Sequence, residues 1–171
     1  MSVSSISFTA WLVMVSQIVH KRTRRWGACV SDRDAAFYDA AFRYCRAISP
    51  LYGTLNLLPR QLYLWLVERA LARGATLHYV LRKKAIQQQV ESSLRAGVKQ
   101  IVLLGGGFDP LALHTALDHD NVHTFEIDLP SMHAHNSAIV KLRGGSPANY
   151  HMMGTDLSSK SLADLLTNHA W

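Results

Sequence analysis

The chain has 171 residues, 49% of them hydrophobic and 18% charged, with a net charge of +6 and a pI near 9.6. That apolar fraction, with a mean hydropathy near zero, excludes an intrinsically disordered segment and bounds the chain to one domain of ordinary size. The basic balance does not make a nucleic-acid binder: Lys21, Arg22, Arg24 and Arg25 cluster, as do Arg82, Lys83 and Lys84, but aromatic interleaving and a binding motif are missing.

Residues Phe8 to Val19 are apolar, with Trp11, Leu12, Val13, Met14, Val15, Ile18 and Val19 interrupted by Ser16 and Gln17. The stretch falls short of the ~20 residues a spanning helix needs and lacks the basic n-region of a secretory signal. An amphipathic helix packed on the domain, or lying at an interface, is expected, with no stable membrane span. Asp32 to Ile48 predicts a second helix, capped by Ser31 or Asp32, with Ala36, Phe37, Ala40, Ala41 and Tyr44 on one face. Ser49 to Pro59 carries two prolines and a glycine and predicts a turn-rich connection. Pro59 at N1 opens a third helix through Arg73, with Leu62, Leu66, Val67, Ala70 and Leu71 as its buried stripe and Gly74 as its stop. Tyr79 to Ala96 predicts a fourth helix, with Leu81, Ala85, Val90 and Leu94 in register and Gly97 at C′. Cys29 and Cys45 show no C-x-x-C pattern and no signal-peptide context, so reduced thiols in the cytoplasm are expected.

The stretch from Gln100 to Pro130 carries the chemistry. Ile101-Val102-Leu103-Leu104 has no polar alternation, which suits a central parallel strand covered on both faces. It stops at Gly105, Gly106 and Gly107, a turn over which a ligand can approach the backbone closely. A second apolar run, Val122 to Ile127, stops at Asp128, 23 positions after Gly105, where a carboxylate can accept hydrogen bonds from ribose hydroxyls. The dinucleotide fingerprint G-x-G-x-x-G is met at Gly107 but missed at Pro110, which disfavours a nicotinamide cofactor, and no G-x-x-x-x-G-K-[ST] is present. The remaining candidate is the glycine loop of an S-adenosyl-L-methionine site, with Asp109 beside it. Pro110 to Leu117 predicts a short crossover helix whose N-terminus faces the loop, and Leu129 to Val140 a second. Asn149 to Gly154 predicts a third strand, ending in Thr155-Asp156-Leu157, and Ser161 to Trp171 a final helix. Nine histidines raise the question of a metal. His133 and His135 sit on different faces of a helix, and neither H-E-x-x-H nor a Cys/His quartet occurs, so no metal site is assigned. His114, near the loop, is the one histidine to watch.

LLGGGFDP followed by FEIDLP resembles the leucine carboxyl methyltransferase family, through Gly105, Gly107, Asp109, Phe125, Glu126, Asp128 and Pro130. The resemblance extends from about Leu81 to Leu157 and implies a class I, Rossmann-like α/β methyltransferase fold. It implies O-methyl transfer from S-adenosyl-L-methionine to a carboxylate or hydroxyl of a small molecule or a protein C-terminus. HYVLRKKAI resembles the family segment in which an arginine, here Arg82, contacts the cofactor's methionine carboxylate, by the bidentate fork a guanidinium offers. The Asp-Leu pair at the third strand tip, Asp156 and Leu157, resembles the pair that holds adenine. Residues 1–78 would then be a helical cap region and 79–171 a cofactor-binding half-domain.

The resemblance breaks in two places. Asp109 is followed by Pro110 and Leu111 where the family continues Thr-Arg. Only about three parallel strands can be read, with no strand four and no acceptor-binding half, so the chain looks like the N-terminal part of a methyltransferase. A bare edge on IVLL would invite self-association or a missing C-terminal half as partner. A non-catalytic fragment or cofactor-binding module stays open as the alternative.

Overall fold

The computed structural model describes residues 6–49, 59–159 and 161–167. They form an α/β structure with seven α-helices and one open sheet of three parallel strands, preceded by a helical N-terminal region. The described elements group into two compact units, one within residues 1–99 together with 108–111, the other within 100–107 together with 112–171.

The first unit is helical. Helix α1 (Phe8–Lys21) starts at Ser7, whose hydroxyl accepts the Ala10 N–H at 3.3 Å. Trp11, Leu12, Met14, Val15, Ile18 and Val19 are buried, as the apolar stretch predicts. Among the described residues no helix is long and apolar enough to cross a membrane. A short 3-10 turn (Gly27–Cys29) leads to α2 (Asp32–Ile48), where Ser31 accepts the Asp34 N–H and acidic Asp32 and Asp34 complement the helix N-terminus. Its inward line is Asp34, Phe37, Tyr38, Ala41 and Cys45, so the expected face is rotated: Phe37 and Ala41 point in, while Ala36 is exposed. The expected connection from Ser49 to Pro59 lies mostly outside the described residues.

Helix α3 (Arg60–Ala70) follows Pro59, which stands at the N-cap rather than N1, and the helix stops short of Arg73. Its expected apolar stripe is not buried. Leu62, Leu66 and Leu71 are exposed, because the helix instead seats Tyr63 edge-on against the Trp11 ring, centroids 6.2 Å apart. Helix α4 (Ala75–Arg95) begins four residues earlier than Tyr79, directly after Gly74, whose φ of 81° makes a left-handed corner between α3 and α4. Its end agrees with expectation: Gly97 (φ 96°) and Val98 donate to Leu94 and Ser93 carbonyls in a Schellman closure. Of the line expected to be in register, Leu81 and Ala85 are exposed and Val90 and Leu94 half-buried; the buried residues are Thr76, Val80 and Lys83.

The second unit holds the sheet, in the order β1 (Gln100–Leu104), β2 (His123–Asp128), β3 (Tyr150–Gly154). Both pairings are parallel, with Val102 opposite Phe125 and Phe125 opposite His151. The connections are α5 (Leu111–Asp118), between β1 and β2, and α6 (Pro130–Leu142), between β2 and β3; α7 (Leu162–Thr167) follows β3. On one face Phe125, Ile127 and Met153 form a core with Leu166, joined by Val102 and Leu162. Phe125 and Ile127 are fully buried, each stabilising by about 1.5–3 kcal/mol. The Asn149 side chain braces the unit's lower rim. Its amide donates to the carbonyls of Ala116, His119 and Val122 at 2.7–3.0 Å, so Asn149 precedes the strand instead of opening it. Cys45 is fully buried, and that burial pushes its thiol up to about 12.

Candidate functional site

The C-terminal ends of β1 and β2 meet at the glycine loop. Gly105 (φ 61°) and Gly107 (φ 60°) both take left-handed backbone that a side chain would strain. An added Cβ at Gly105 would meet nothing within 4 Å, so the backbone there is open to a ligand. Gly105 N–H donates to the Ile127 carbonyl at 2.8 Å, which carries the β1–β2 ladder into the loop. Gly106 is half-buried and Gly107 buried.

Buried peptide groups need partners. Gly107 N–H donates to Asp128 Oδ2 at 2.8 Å, and the other carboxylate oxygen, Oδ1, accepts the Leu129 N–H at 2.7 Å. Asp128 is half-buried, and each of its oxygens keeps acceptor capacity beyond the bond it makes to the loop. At the tip of β3, Thr155 N–H donates to the Asp128 carbonyl at 2.8 Å. The next two residues, Asp156 and Leu157, are exposed. Asp156 Oδ1 accepts the Ser158 N–H at 2.9 Å, and that bond holds its carboxyl below the ordinary carboxylate value. An open glycine backbone flanked by carboxylates at successive strand tips fits a ligand that carries a ribose and an amino-bearing base.

The second unit thus bonds Gly107 directly to Asp128, with Gly105 and Gly106 in the same loop and Asp156 and Leu157 at the adjoining strand tip. Arg82 and Asp109 belong to the first unit. Arg82 is exposed on α4. Asp109 has partners of its own: its Oδ1 is ion-paired with Lys83 Nζ and accepts the Leu111 N–H at 2.8 Å, capping α5. Lys83 is only 7% exposed and lies 5.6 Å from the centre of the Tyr38 ring. Tyr38 is buried, which pushes its phenol well above its ordinary value, with Asp109 and then Asp34 adding to the shift. Gln87 donates to Asp34 at 2.7 Å within the same buried cluster.

Sequence reasoning singled out Arg82 and passed over Lys83, and it missed a second polar group beneath the loop. Asn136 on α6 donates through Nδ2 to the Gly107 carbonyl at 2.5 Å and to Glu126 Oε1 at 2.8 Å, and Tyr150 donates to Glu126 Oε2 at 2.6 Å. Glu126 lay within the motif that carries the resemblance, but nothing in one sequence ties it to positions 136 and 150. Among the described residues no cluster of three or more histidine, cysteine or acidic side chains could hold a metal ion.

Alternating strand and helix, a glycine turn at the end of one strand and an acidic residue at the end of the next define the Rossmann-like α/β class. The family model for leucine carboxyl methyltransferase matches residues 60–171, and the chain belongs to that family. Its members are in general S-adenosylmethionine-dependent methyltransferases. No curated protein matches the chain.

Proposed function

We propose that the chain is an S-adenosyl-L-methionine-dependent O-methyltransferase, or the cofactor-holding part of one. Its acceptor would be a carboxylate or hydroxyl of a small molecule or a protein C-terminus. The observation that carries the proposal is the open backbone at Gly105, φ 61°, with the half-buried Asp128 carboxylate bonded into the same loop.

In this role Gly105 and Gly106 line the approach to the loop, and Asp128 accepts from ribose hydroxyls with the lone pairs left over from Gly107 and Leu129. Asp156 accepts from the adenine amino group, with the Leu157 backbone beside it. By the family resemblance alone, the methionine carboxylate is assigned to the guanidinium of Arg82, which is exposed on α4. Asp109, which the family resemblance also assigns to the cofactor, is itself held by Lys83 and the Leu111 N–H. When bound, the cofactor supplies the electrophilic methyl group and a good leaving group, so the protein's contribution is mainly to position the acceptor oxygen in line.

The test is calorimetric titration with S-adenosylmethionine and S-adenosylhomocysteine. Saturable binding is expected, weakened at least about tenfold in Asp128→Asn, because charge-assisted bonds to ribose are lost while an acceptor for Gly107 remains. Folded protein that binds neither compound would refute the proposal.

A further inference from the structure

Gly107 is buried and left-handed, so the peptides on both sides of it must find partners inside the fold. The N–H side is held by Asp128. The carbonyl side is held by Asn136, which is 3% exposed and reaches the loop from α6. Its partners dictate its orientation. The Gly107 carbonyl and the Glu126 carboxylate can only accept, so the amide must present its NH₂ to both, one hydrogen each. Glu126, also 3% exposed, is fixed in turn by the Tyr150 hydroxyl. A line of hydrogen bonds therefore runs from β3 through β2 and α6 to the loop after β1.

Residue type matters at each step. A leucine at 136 would fill similar space but leave the buried Gly107 carbonyl without its donor, and an aspartate would supply at most one donor where two bonds are made. Asparagine alone among small side chains places two donors on one atom at that distance.

We propose that Asn136 is the positioning residue of the cofactor loop, with Glu126 and Tyr150 setting its orientation; this rests on the reading that the loop holds S-adenosylmethionine. Asn136 does not touch the ligand. By holding the Gly107 carbonyl inward it keeps the Gly107 N–H on Asp128, and so fixes both the open face at Gly105 and the direction in which Asp128 offers its remaining lone pairs.

The test reads the loop directly, through hydrogen exchange of the Gly107 amide measured by NMR in the ligand-free protein. In Asn136→Asp the new carboxyl shares a proton with Glu126, which satisfies that contact but leaves the Gly107 carbonyl without its donor. Gly107 exchange is expected to rise about tenfold, with the Phe125 and Ile127 amides little changed, and S-adenosylhomocysteine affinity is expected to fall about tenfold. Wild-type exchange at Gly107 in a folded Asn136→Asp protein would overturn the proposal. Should that variant not fold, Tyr150→Phe retains Asn136 and loosens it by one step. A rise of about threefold in Gly107 exchange then supports the proposal, and no rise overturns it. Absence of S-adenosylhomocysteine binding by the wild type would instead refute the functional reading, and exchange would still decide whether Asn136 holds the loop.

Discussion

Lys83 and Asp109 form a pair whose two halves are unequally buried, and that inequality predicts an asymmetric mutational response. Lys83 is 7% exposed, whereas the Asp109 side chain keeps 24% of its surface and a second bond, to the Leu111 N–H. Asp109→Ala removes the carboxylate from a buried ammonium and uncaps α5. Breaking one side of a buried pair costs ~3–5 kcal/mol and losing a cap ~1 kcal/mol; partial access of water through the Asp109 side reduces the sum to about 3 kcal/mol. Lys83→Met keeps the aliphatic stem against Tyr38 and leaves a carboxylate that is still bonded and partly hydrated, so about 1 kcal/mol is expected. Lys83→Met combined with Asp109→Ala loses the cap but leaves no unpaired buried ammonium, so it should cost about 2 kcal/mol, well below the sum of the singles. Denaturant unfolding followed by circular dichroism and tryptophan fluorescence measures all three. Equal losses in Asp109→Ala and Lys83→Met, or additive losses in the double variant, would refute the account of a desolvated cation held by one carboxylate.

Two further outcomes follow from the same geometry. Gly105→Ala should cost only ~1–2 kcal/mol of stability, the left-handed backbone penalty, because its Cβ meets no atom within 4 Å. The same methyl would stand where the ligand approaches, so S-adenosylhomocysteine affinity measured calorimetrically should fall more than about tenfold; unchanged affinity would move the ligand off the loop. Alkaline pH should destabilise the protein: burial holds the Cys45 thiol and the Tyr63 phenol at about 12, and Tyr38 well above its ordinary value. These groups stay protonated when folded and ionise when unfolded, so their contribution is complete below the ordinary thiol value of 9.0 and is lost as pH rises toward 12. Melting temperatures from pH 8 to 11, read with tyrosinate absorbance, should fall monotonically, as unfolding free energy declines by up to about 1.4 kcal/mol per pH unit for each group.

The sheet and its loop were legible in the sequence because their signals are local. IVLL followed by glycines, and FEID followed by Leu-Pro, state strand and turn within a few residues, and Gly97 marks the end of α4 by the same kind of local rule. Helix faces were less legible where polar residues point inward. On α4 the buried line runs through Thr76, Val80 and Lys83, and a threonine and a lysine read as solvent-facing until their partners are known. Lys83 finds Asp109 across 26 positions, and Asn136 finds Gly107 across 29. Leu62 and Leu66 misled in the opposite sense: their spacing makes a stripe, but the contact that orients α3 belongs to Tyr63. The family motif singled out Asp128, whose bonds to Gly107 and Leu129 have no local signature.

The hydrogen-bonded line under the glycine loop also has a bearing on the order of folding. Each strand pairing joins residues more than twenty positions apart, Gln100 to His123 and Thr124 to Tyr150, so each must wait for its crossover segment to close. A β1–α5–β2 arrangement would already contain Gly107 and Asp128, but it would lack Asn136, Tyr150 and the Asn149 brace. Joining of α6 and β3 then completes the hydrogen bonds under the loop. On the proposed function, a ligand at this loop would favour molecules in which the third strand has joined over those in which it has not.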